Sequence, residues 1–96
     1  MSQKVYTIYM SGVSGSVVSQ KNLQRMELIL GGKKIQYKLV DISLDENSKD
    51  KDIMIKNSKS ATPRMTPQVF LGEQYIADFK QIDEWNEYEE LEQNLL

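Results

Sequence analysis

The sequence has no cysteine and no histidine among its 96 residues. Without cysteine there can be no disulfide bond and no thiol nucleophile, and without histidine there is no imidazole base and little prospect of a zinc site. Carboxylates, lysines, hydroxyls and backbone groups are what remain for chemistry. We therefore expect no catalytic residues and no metal site.

Long apolar runs and a balanced charge distribution are also missing. No stretch approaches the roughly 20 apolar residues of a membrane span, and the N-terminus lacks the apolar core of a signal peptide. Residues 1–82 carry all 12 Lys and Arg against 8 acids, whereas residues 83–96 carry 6 acids and no base. This acidic end argues against nucleic acid as the main partner. The composition predicts one compact, intracellular domain over residues 1–96.

Periodic apolar residues in the first half of the chain predict a βαβ unit. Residues 5–10 are nearly all β-branched or aromatic, which predicts a central strand covered on both faces. A helix is predicted to begin near Ser16 and to end at Gly31-Gly32 in a left-handed C-cap. Residues 35–40 predict an edge strand parallel to the first. The apolar positions in the two patterns are Leu23, Met26 and Leu30, then Ile35, Tyr37 and Leu39.

The middle of the chain predicts a second helix followed by a loop. Residues 45–56 are interpreted as a helix with Ile53 and either Met54 or Leu44 facing inward. Its polar centre, residues 47–52, fits a solvated helix face and a loop equally well. Residues 57–67 are rich in Ser, Lys, Thr and Pro, which predicts a loop.

The last third predicts a hairpin and a capped helix. Residues 68–71 and 74–76 are read as antiparallel strands joined by Gly72-Glu73. Asp78 is predicted to cap a helix that begins at Phe79 or Lys80. The apolar residues assigned to this helix are Ile82, Trp85 and Tyr88, and those that extend or restart it are Leu91, Leu95 and Leu96.

Pro67 stands directly before the predicted buried strand at residues 68–71. Since proline lacks an N–H, it is restricted to strand starts, edges and bulges. A trans proline is the commoner arrangement, but an X-Pro bond prefers trans by only about 0.5–1 kcal/mol, so packing can select cis. A cis bond would hold the Thr66 backbone extended beside the loop at residues 11–16.

The order strand-helix-strand-helix-strand-strand-helix, with a proline before the third strand, is the thioredoxin-like layout. Five further segments are informative: Gly12-Val13-Ser14-Gly15-Ser16, residues 32–43, Ala61-Thr62-Pro63, Thr66-Pro67-Gln68-Val69-Phe70, and residues 74–79. Through them the chain resembles glutaredoxin-like proteins, and most closely the SH3-domain-binding glutamic-acid-rich-like family, particularly a short member of it. The resemblance covers residues 4–86 and weakens in the acidic end. It implies an α/β, thioredoxin-like three-layer α/β/α fold with a four-stranded mixed sheet, βαβαββα.

The resemblance also implies a cis bond at Thr66-Pro67 and the loss of redox chemistry. Catalytic glutaredoxins carry Cys-x-x-Cys or Cys-x-x-Ser at the start of the first helix, where the helix N-terminus stabilises the thiolate. The matching residues here form a degenerate active-site loop: Ser14, Gly15, Ser16 and Val17. The pKa of a serine hydroxyl is far too high for it to replace a thiolate without a neighbouring base, so we expect no oxidoreductase activity.

A ligand groove is the second implication of the resemblance. Glutaredoxins bind glutathione through the residue before the cis-proline, a basic side chain near the second helix, and a helix N-terminus after the fourth strand. The matching residues here are Thr66 and Pro67, Lys56 or Lys59, and Ala77 with Asp78. The Ala77 methyl and the Asp78 charge oppose glutathione. We therefore expect no cofactor, with glutathione as the alternative ligand.

The sequence thus predicts a non-catalytic binding or regulatory protein, monomeric and located in the cytoplasm and also in the nucleus. The alternative is a glutathione-binding protein, or a degenerate redox module that assists a partner enzyme. Protein partners are expected, and neither a membrane nor nucleic acid. The family name suggests an SH3-containing partner, but Pro63 and Pro67 are spaced more widely than in a PxxP motif. Both prolines are more simply interpreted as residues that mark a loop and the start of a strand.

Overall fold

The computed structural model describes residues 4–13 and 16–95. The strands are β1 (Tyr6–Met10), β2 (Tyr37–Asp41), β3 (Gln68–Leu71) and β4 (Gln74–Asp78). The helices are α1 (Val17–Gly32), α2 (Ser48–Asn57), α3 (Phe79–Glu87) and α4 (Leu91–Leu95), with a 3₁₀ helix at Asp45–Asn47. Ser14, Gly15 and Leu96, which enter the predictions, lie outside the described residues.

The four strands form one mixed sheet in the order β2-β1-β3-β4. In the register, β1 is parallel to β2, with Ile8 opposite Leu39, and antiparallel to β3, with Ile8 opposite Val69. β4 pairs antiparallel with β3 through a turn in which Gly72 has a φ of 61°, a conformation that glycine adopts at no steric cost. The predicted βαβ unit, the edge position of β2 and the hairpin are confirmed.

One face of the sheet is covered by α1, α3 and α4. Met26 and Leu30 of the predicted stripe are buried there, together with Ile29, and Leu23 packs against them half-buried. The α4 helix restarts the chain after α3, and the Tyr6 hydroxyl donates a hydrogen bond to the Leu95 carbonyl. The remaining core residues on this face include Ile8, Ile35, Val69, Ala77, Ile82 and Leu91.

The opposite face is covered by α2, which makes the fold the predicted three-layer arrangement. Met54 is fully buried against Tyr9 and Phe70, so it is the inward-facing residue of this helix, whereas the alternative, Leu44, is exposed. The Tyr9 and Phe70 rings meet edge to face with centroids 5.1 Å apart, a favourable aromatic geometry. Because helices lie on both faces, β1 and β3 are buried at nearly every residue.

The end of α1 differs from the prediction. Gly31 and Gly32 are the last helical residues, and the left-handed residue is Lys34, with a φ of 59°. The Ile35 N–H donates to the Leu30 carbonyl at 3.0 Å and the Lys34 N–H to the Gly31 carbonyl at 3.1 Å. This is a Schellman motif, and the burial of Leu30 with Ile35 supplies its hydrophobic contact. Packing of Ile35 therefore places the turn at a lysine.

Two apolar residues expected on packed faces are exposed. Leu39 is exposed because β2 is the edge strand, beyond the best-covered part of the sheet. Tyr88 is 69% exposed because α3 ends at Glu87 and a left-handed turn at Glu89 redirects the chain, so that Leu91 enters the core instead. Trp85 is half-buried against the core, which agrees with its prediction.

Candidate functional site

The Thr66-Pro67 peptide bond is cis, which confirms the prediction at this position. Pro67 is buried and Thr66 is half-exposed. No hydrogen bond joins the Thr66 backbone to another residue in the described part of the chain. A residue before proline is restricted to extended conformations, so Thr66 presents an extended backbone at the surface.

Gln68 holds the loop that leads to Thr66. Its side chain is only 1% exposed, and its Nε2 donates to the Pro63 carbonyl at 2.8 Å and to the Met65 carbonyl at 2.7 Å. Its Oε1 accepts a 2.7 Å hydrogen bond from the Ser58 hydroxyl. A buried amide with every bond satisfied defines one loop conformation, because any other leaves a polar group unpaired. Gln68 was predicted as a strand residue only, and its amide was not recognised as the anchor.

Asp41 holds the loop on the other side of Thr66. Its Oδ1 accepts hydrogen bonds from the Gly12 N–H at 3.0 Å, the Ser43 N–H at 2.9 Å and the Ser43 hydroxyl at 2.5 Å. The hydrogen bond from the Ser43 hydroxyl, followed by that from Gly12, holds the pKa of Asp41 below its ordinary value. A Cβ at Gly12 would lie 2.4 Å from Asp41 Oδ2, so any other residue would force the Asp41 carboxylate to move. No local pattern signalled this contact, which joins residues far apart in sequence.

A cavity of about 390 Å³ lies between these two loops. We call it the cationic groove, because two positively charged side chains line it and no acidic one does. Its lining residues are the polar Ser11, Ser19 and Thr66, the apolar Ile42 and Met65, and the cations Lys51 and Arg64. The loop at residues 11–16 therefore faces Thr66 at Ser11, as predicted from the sequence.

The basic residues of the groove are not those predicted. Lys51 of α2 and Arg64 of the loop line it, whereas Lys56 and Lys59 are exposed and line none of the three cavities that the described residues form beside Thr66. The position of α2 across the sheet turns Lys51 toward Thr66. Neither Lys51 nor Arg64 forms a salt bridge with any described residue.

Of the predicted groove residues Ala77 and Asp78, only Asp78 lines a cavity. Ala77 is fully buried in the core, so its methyl cannot oppose a ligand as the sequence suggested. Asp78 lines a second cavity of about 250 Å³ with Thr66 and Pro67. Its Oδ1 accepts from the Gln81 N–H at 3.0 Å, which caps α3, and its Oδ2 accepts from the Ser60 hydroxyl at 3.1 Å. The predicted N-cap is confirmed, within a capping box that includes Gln81.

The degenerate active-site loop is described only in part. Ser16 is the N-cap of α1, and its hydroxyl oxygen accepts a 3.2 Å hydrogen bond from the Ser19 N–H. Val17 is the first helical residue and is exposed. The Ser16 oxygen therefore caps the helix end where glutaredoxins carry their motif.

Tyrosine offers no substitute base in this region. Burial raises the pKa of Tyr9, and burial followed by the Asp78 charge raises the pKa of Tyr75 to about 12. Both phenols are therefore neutral at physiological pH. Among residues 4–13 and 16–95, no group of three or more acidic side chains is placed to hold a metal ion, and no helix is long and apolar enough to span a membrane.

Comparison with known proteins gives the same family at the level of sequence. The family model described as SH3-binding, glutamic acid-rich protein matches residues 4–96. The SH3 domain-binding glutamic acid-rich protein homolog of Drosophila melanogaster is 34% identical over 97 residues, which are 92% of this chain and 61% of that protein. The chain thus spans about three fifths of the length of this curated relative.

Solved structures give the fold. The actin interacting protein Aip5 of C. albicans has a TM-score of 0.71 and 25% identity, covering 96% of this chain and 88% of its own. Glutaredoxin C1 from Populus tremula x tremuloides has a TM-score of 0.67 and 19% identity, covering 94% of this chain and 81% of its own. The second likeness is one of fold alone, and it confirms the predicted glutaredoxin-like, thioredoxin-like architecture.

Proposed function

Because this chain belongs to the SH3-binding, glutamic acid-rich protein family, we propose that it binds a protein partner and does not catalyse thiol–disulfide exchange. A binding or adaptor role is the common element of that family and of the actin-interacting neighbours. The observation that carries the finer proposal is at the start of α1, where glutaredoxins carry their motif. There the serine hydroxyl of Ser16 accepts from the helix backbone and no thiol exists anywhere in the sequence.

The chemistry of the remaining side chains supports this proposal. Thiol–disulfide exchange begins with attack by a thiolate, and the chain has no cysteine to supply one. A serine nucleophile requires an adjacent base, but the chain has no histidine, and the pKa values of Tyr9 and Tyr75 are raised. The backbone at Thr66, by contrast, needs no reactive group to bind a ligand.

Actin is the first protein partner to test. One structural neighbour that is 25% identical over nearly the whole chain carries the name actin interacting protein. An SH3 domain is the second, on the family description. Pro67 is buried and follows a cis bond, so the pair Pro63 and Pro67 does not form the exposed polyproline II helix that an SH3 domain recognises. Actin is therefore the better-supported candidate.

An NMR titration tests partner binding. We expect monomeric actin to broaden a contiguous set of backbone amide signals of the labelled protein, whereas serum albumin at the same concentration broadens none. Equal broadening by both proteins, or none by actin, would contradict actin as the partner. A parallel titration with an isolated SH3 domain compares the second candidate.

A coupled enzyme assay tests the absence of redox activity. In the glutathione-coupled reduction of hydroxyethyl disulfide, we expect the rate with this protein to equal that of the buffer blank. Turnover above the blank, in protein shown by mass spectrometry to be free of contaminating glutaredoxin, would contradict the non-catalytic proposal while leaving partner binding untouched.

Glutathione is the alternative to a protein as the ligand of this site, favoured by the unpaired Thr66 backbone beside Lys51 and Arg64. An extended backbone can pair with the tripeptide, and two cations can attract its carboxylates. Asp78, on the far side of Pro67, opposes the same ligand by like charge. We propose that any glutathione binding is millimolar or weaker.

A further inference from the structure

The cationic groove carries an unbalanced charge. Lys51 and Arg64 line one cavity from two different elements, and no acidic residue lines it. Neither cation is paired within the described residues. Two unpaired cations that face a common space favour a negatively charged occupant.

Two apolar side chains, Met65 and Ile42, also line the groove. Met65 is 54% exposed beside Arg64, and Ile42 forms part of the buried floor. An adjoining cavity of about 370 Å³ shares Ser11, Ile42 and Lys51 with the groove and is also lined by Val13, which is 79% exposed, and by Leu44. Exposed apolar side chains gathered around a depression mark a binding surface more often than isolated ones do.

The charge differs on the two sides of Thr66. The cavity on its other side, lined by α1, contains Glu27 and no cation. Glu27 accepts a hydrogen bond from the Tyr37 hydroxyl at 3.2 Å, which holds the carboxylate in place. Asp45 lines the adjoining cavity of about 370 Å³, together with Lys51. A carboxylate on a ligand is therefore favoured between Lys51 and Arg64 and disfavoured on the α1 side, where Glu27 lines the cavity without a cation.

We infer that the cationic groove binds an extended segment of a protein partner in which an acidic side chain lies next to apolar ones. This inference rests on the proposed function and names the chemistry of the partner. The Thr66 backbone pairs with the segment, Lys51 and Arg64 bind its carboxylate, and Met65 and Val13 contact its apolar side chains. Such a segment pairs with the backbone, the cations and the exposed apolar side chains together, whereas an apolar segment leaves both cations unpaired.

Synthetic peptides test this chemistry directly. The probe is an octapeptide of alternating leucine and glutamate, acetylated and amidated so that its only charges are side-chain carboxylates. The matched control peptide has glutamine at every glutamate position. Backbone amide shifts of the labelled protein are followed during titration at low and at high salt. We expect the glutamate peptide to shift Ser11, Arg64 and Thr66, with binding weakened by salt, and the glutamine peptide to bind more weakly.

Single-charge variants identify the cations involved. Lys51→Gln and Arg64→Gln should each weaken binding of the glutamate peptide about two- to fivefold, which is the range for one exposed ion pair. Lys56→Gln and Lys59→Gln remove the same charge outside the groove and should bind as the wild type does. All four side chains are exposed, and thermal unfolding of each variant checks that the fold is intact.

Three results of the peptide titrations would overturn the inference, and one result of a competition with glutathione would do so too. The three titration results are equal affinity for the two peptides, equal affinity of the groove and control variants, and shifts that map to another face or do not appear at millimolar peptide. Displacement of the peptide by a lower concentration of glutathione would also overturn it, since the groove would then be a glutathione site. In each case the actin titration and the redox assay still decide the proposed function independently.

Discussion

Replacing Gln68 with methionine tests whether one buried amide organises the site. Methionine has nearly the same length and no branch, so it fills the space without the hydrogen bonds. The substitution removes one bond to Ser58 Oγ and two to the carbonyls of Pro63 and Met65, at 2.7, 2.8 and 2.7 Å. At about 0.5–1.5 kcal/mol for each bond, and with some hydration of the released carbonyls, we expect a loss of about 2–3 kcal/mol of unfolding free energy.

Urea unfolding followed by circular dichroism measures this loss, and Gln74→Met is the matched control. Gln74 lies on the neighbouring strand β4 with its side chain exposed, so its replacement should change the free energy of unfolding by less than about 0.5 kcal/mol. In the Gln68 variant we also expect faster amide hydrogen exchange at Met65, whose N–H donates to the Thr62 carbonyl at 3.0 Å, because the loop loses its anchor.

The reasoning would be refuted by equal stability of the Gln68 and Gln74 variants. It would also be refuted if the Gln68 variant were destabilised but exchange at Met65 stayed as slow as in the wild type. In that case the amide would contribute to the core alone, and the loop would hold its conformation by other contacts.

Three further predictions concern the loops on either side of Thr66. Gly12→Ala should destabilise the protein by about 1–3 kcal/mol, because the added Cβ would lie 2.4 Å from Asp41 Oδ2. Gly31→Ala is the control: nothing lies within 4 Å of its added Cβ, so it should stabilise the protein by about 0.5–1 kcal/mol. Urea unfolding measures both variants, and equal effects would contradict the close approach of Gly12 to Asp41. Hydrogen bonds lower the pKa of Asp41 in the folded state, so its contribution to stability is complete above its ordinary pKa of 3.8 and is lost as the pH falls through the folded value. The difference in urea midpoint between the wild type and Asp41→Asn should therefore shrink in acid. A difference that stays constant with pH would contradict this contribution of Asp41. Asp78→Asn keeps a side chain that caps α3, so the free energy of unfolding should fall by less than about 0.5 kcal/mol. Calorimetry should show that this variant binds glutathione more tightly than the wild type, whose binding is expected to be millimolar or weaker. Micromolar binding by the wild type would contradict the role of the Asp78 charge.

Local patterns predicted the elements because each depends on residues close in sequence. The apolar run at residues 68–71 became β3 with the same bounds, and Asp78 caps α3 through a hydrogen bond to a residue only three positions away in sequence. The cis bond followed from the family resemblance, since Pro67 by itself favoured trans. The Gly31-Gly32 cap was wrong because packing of Ile35 against Leu30 outweighed the preference of glycine for a left-handed turn.

The candidate site was less predictable, because its charges and anchors come from separate elements. Thr66 and Ser11 were expected to face each other and do so, but the basic residues were expected at Lys56 or Lys59. The direction in which a surface lysine of α2 points depends on how that helix lies on the sheet, and its polar residues carry no signal of this. The buried position of Ala77 likewise depends on the pairing of β4 with β3.

The sequence by itself determined the absence of thiol and imidazole chemistry and the order of strands and helices, because composition and short-range periodicity act within a few residues. Only the tertiary structure decided that Lys51 and Arg64 share one groove, that Asp41 holds Gly12, and that Gln68 holds the loop before Thr66. The contact between Asp41 and Gly12 spans 29 residues. Contacts of this kind form when the sheet closes and the helices cover it, and their geometry depends on the whole packed core rather than on any local preference.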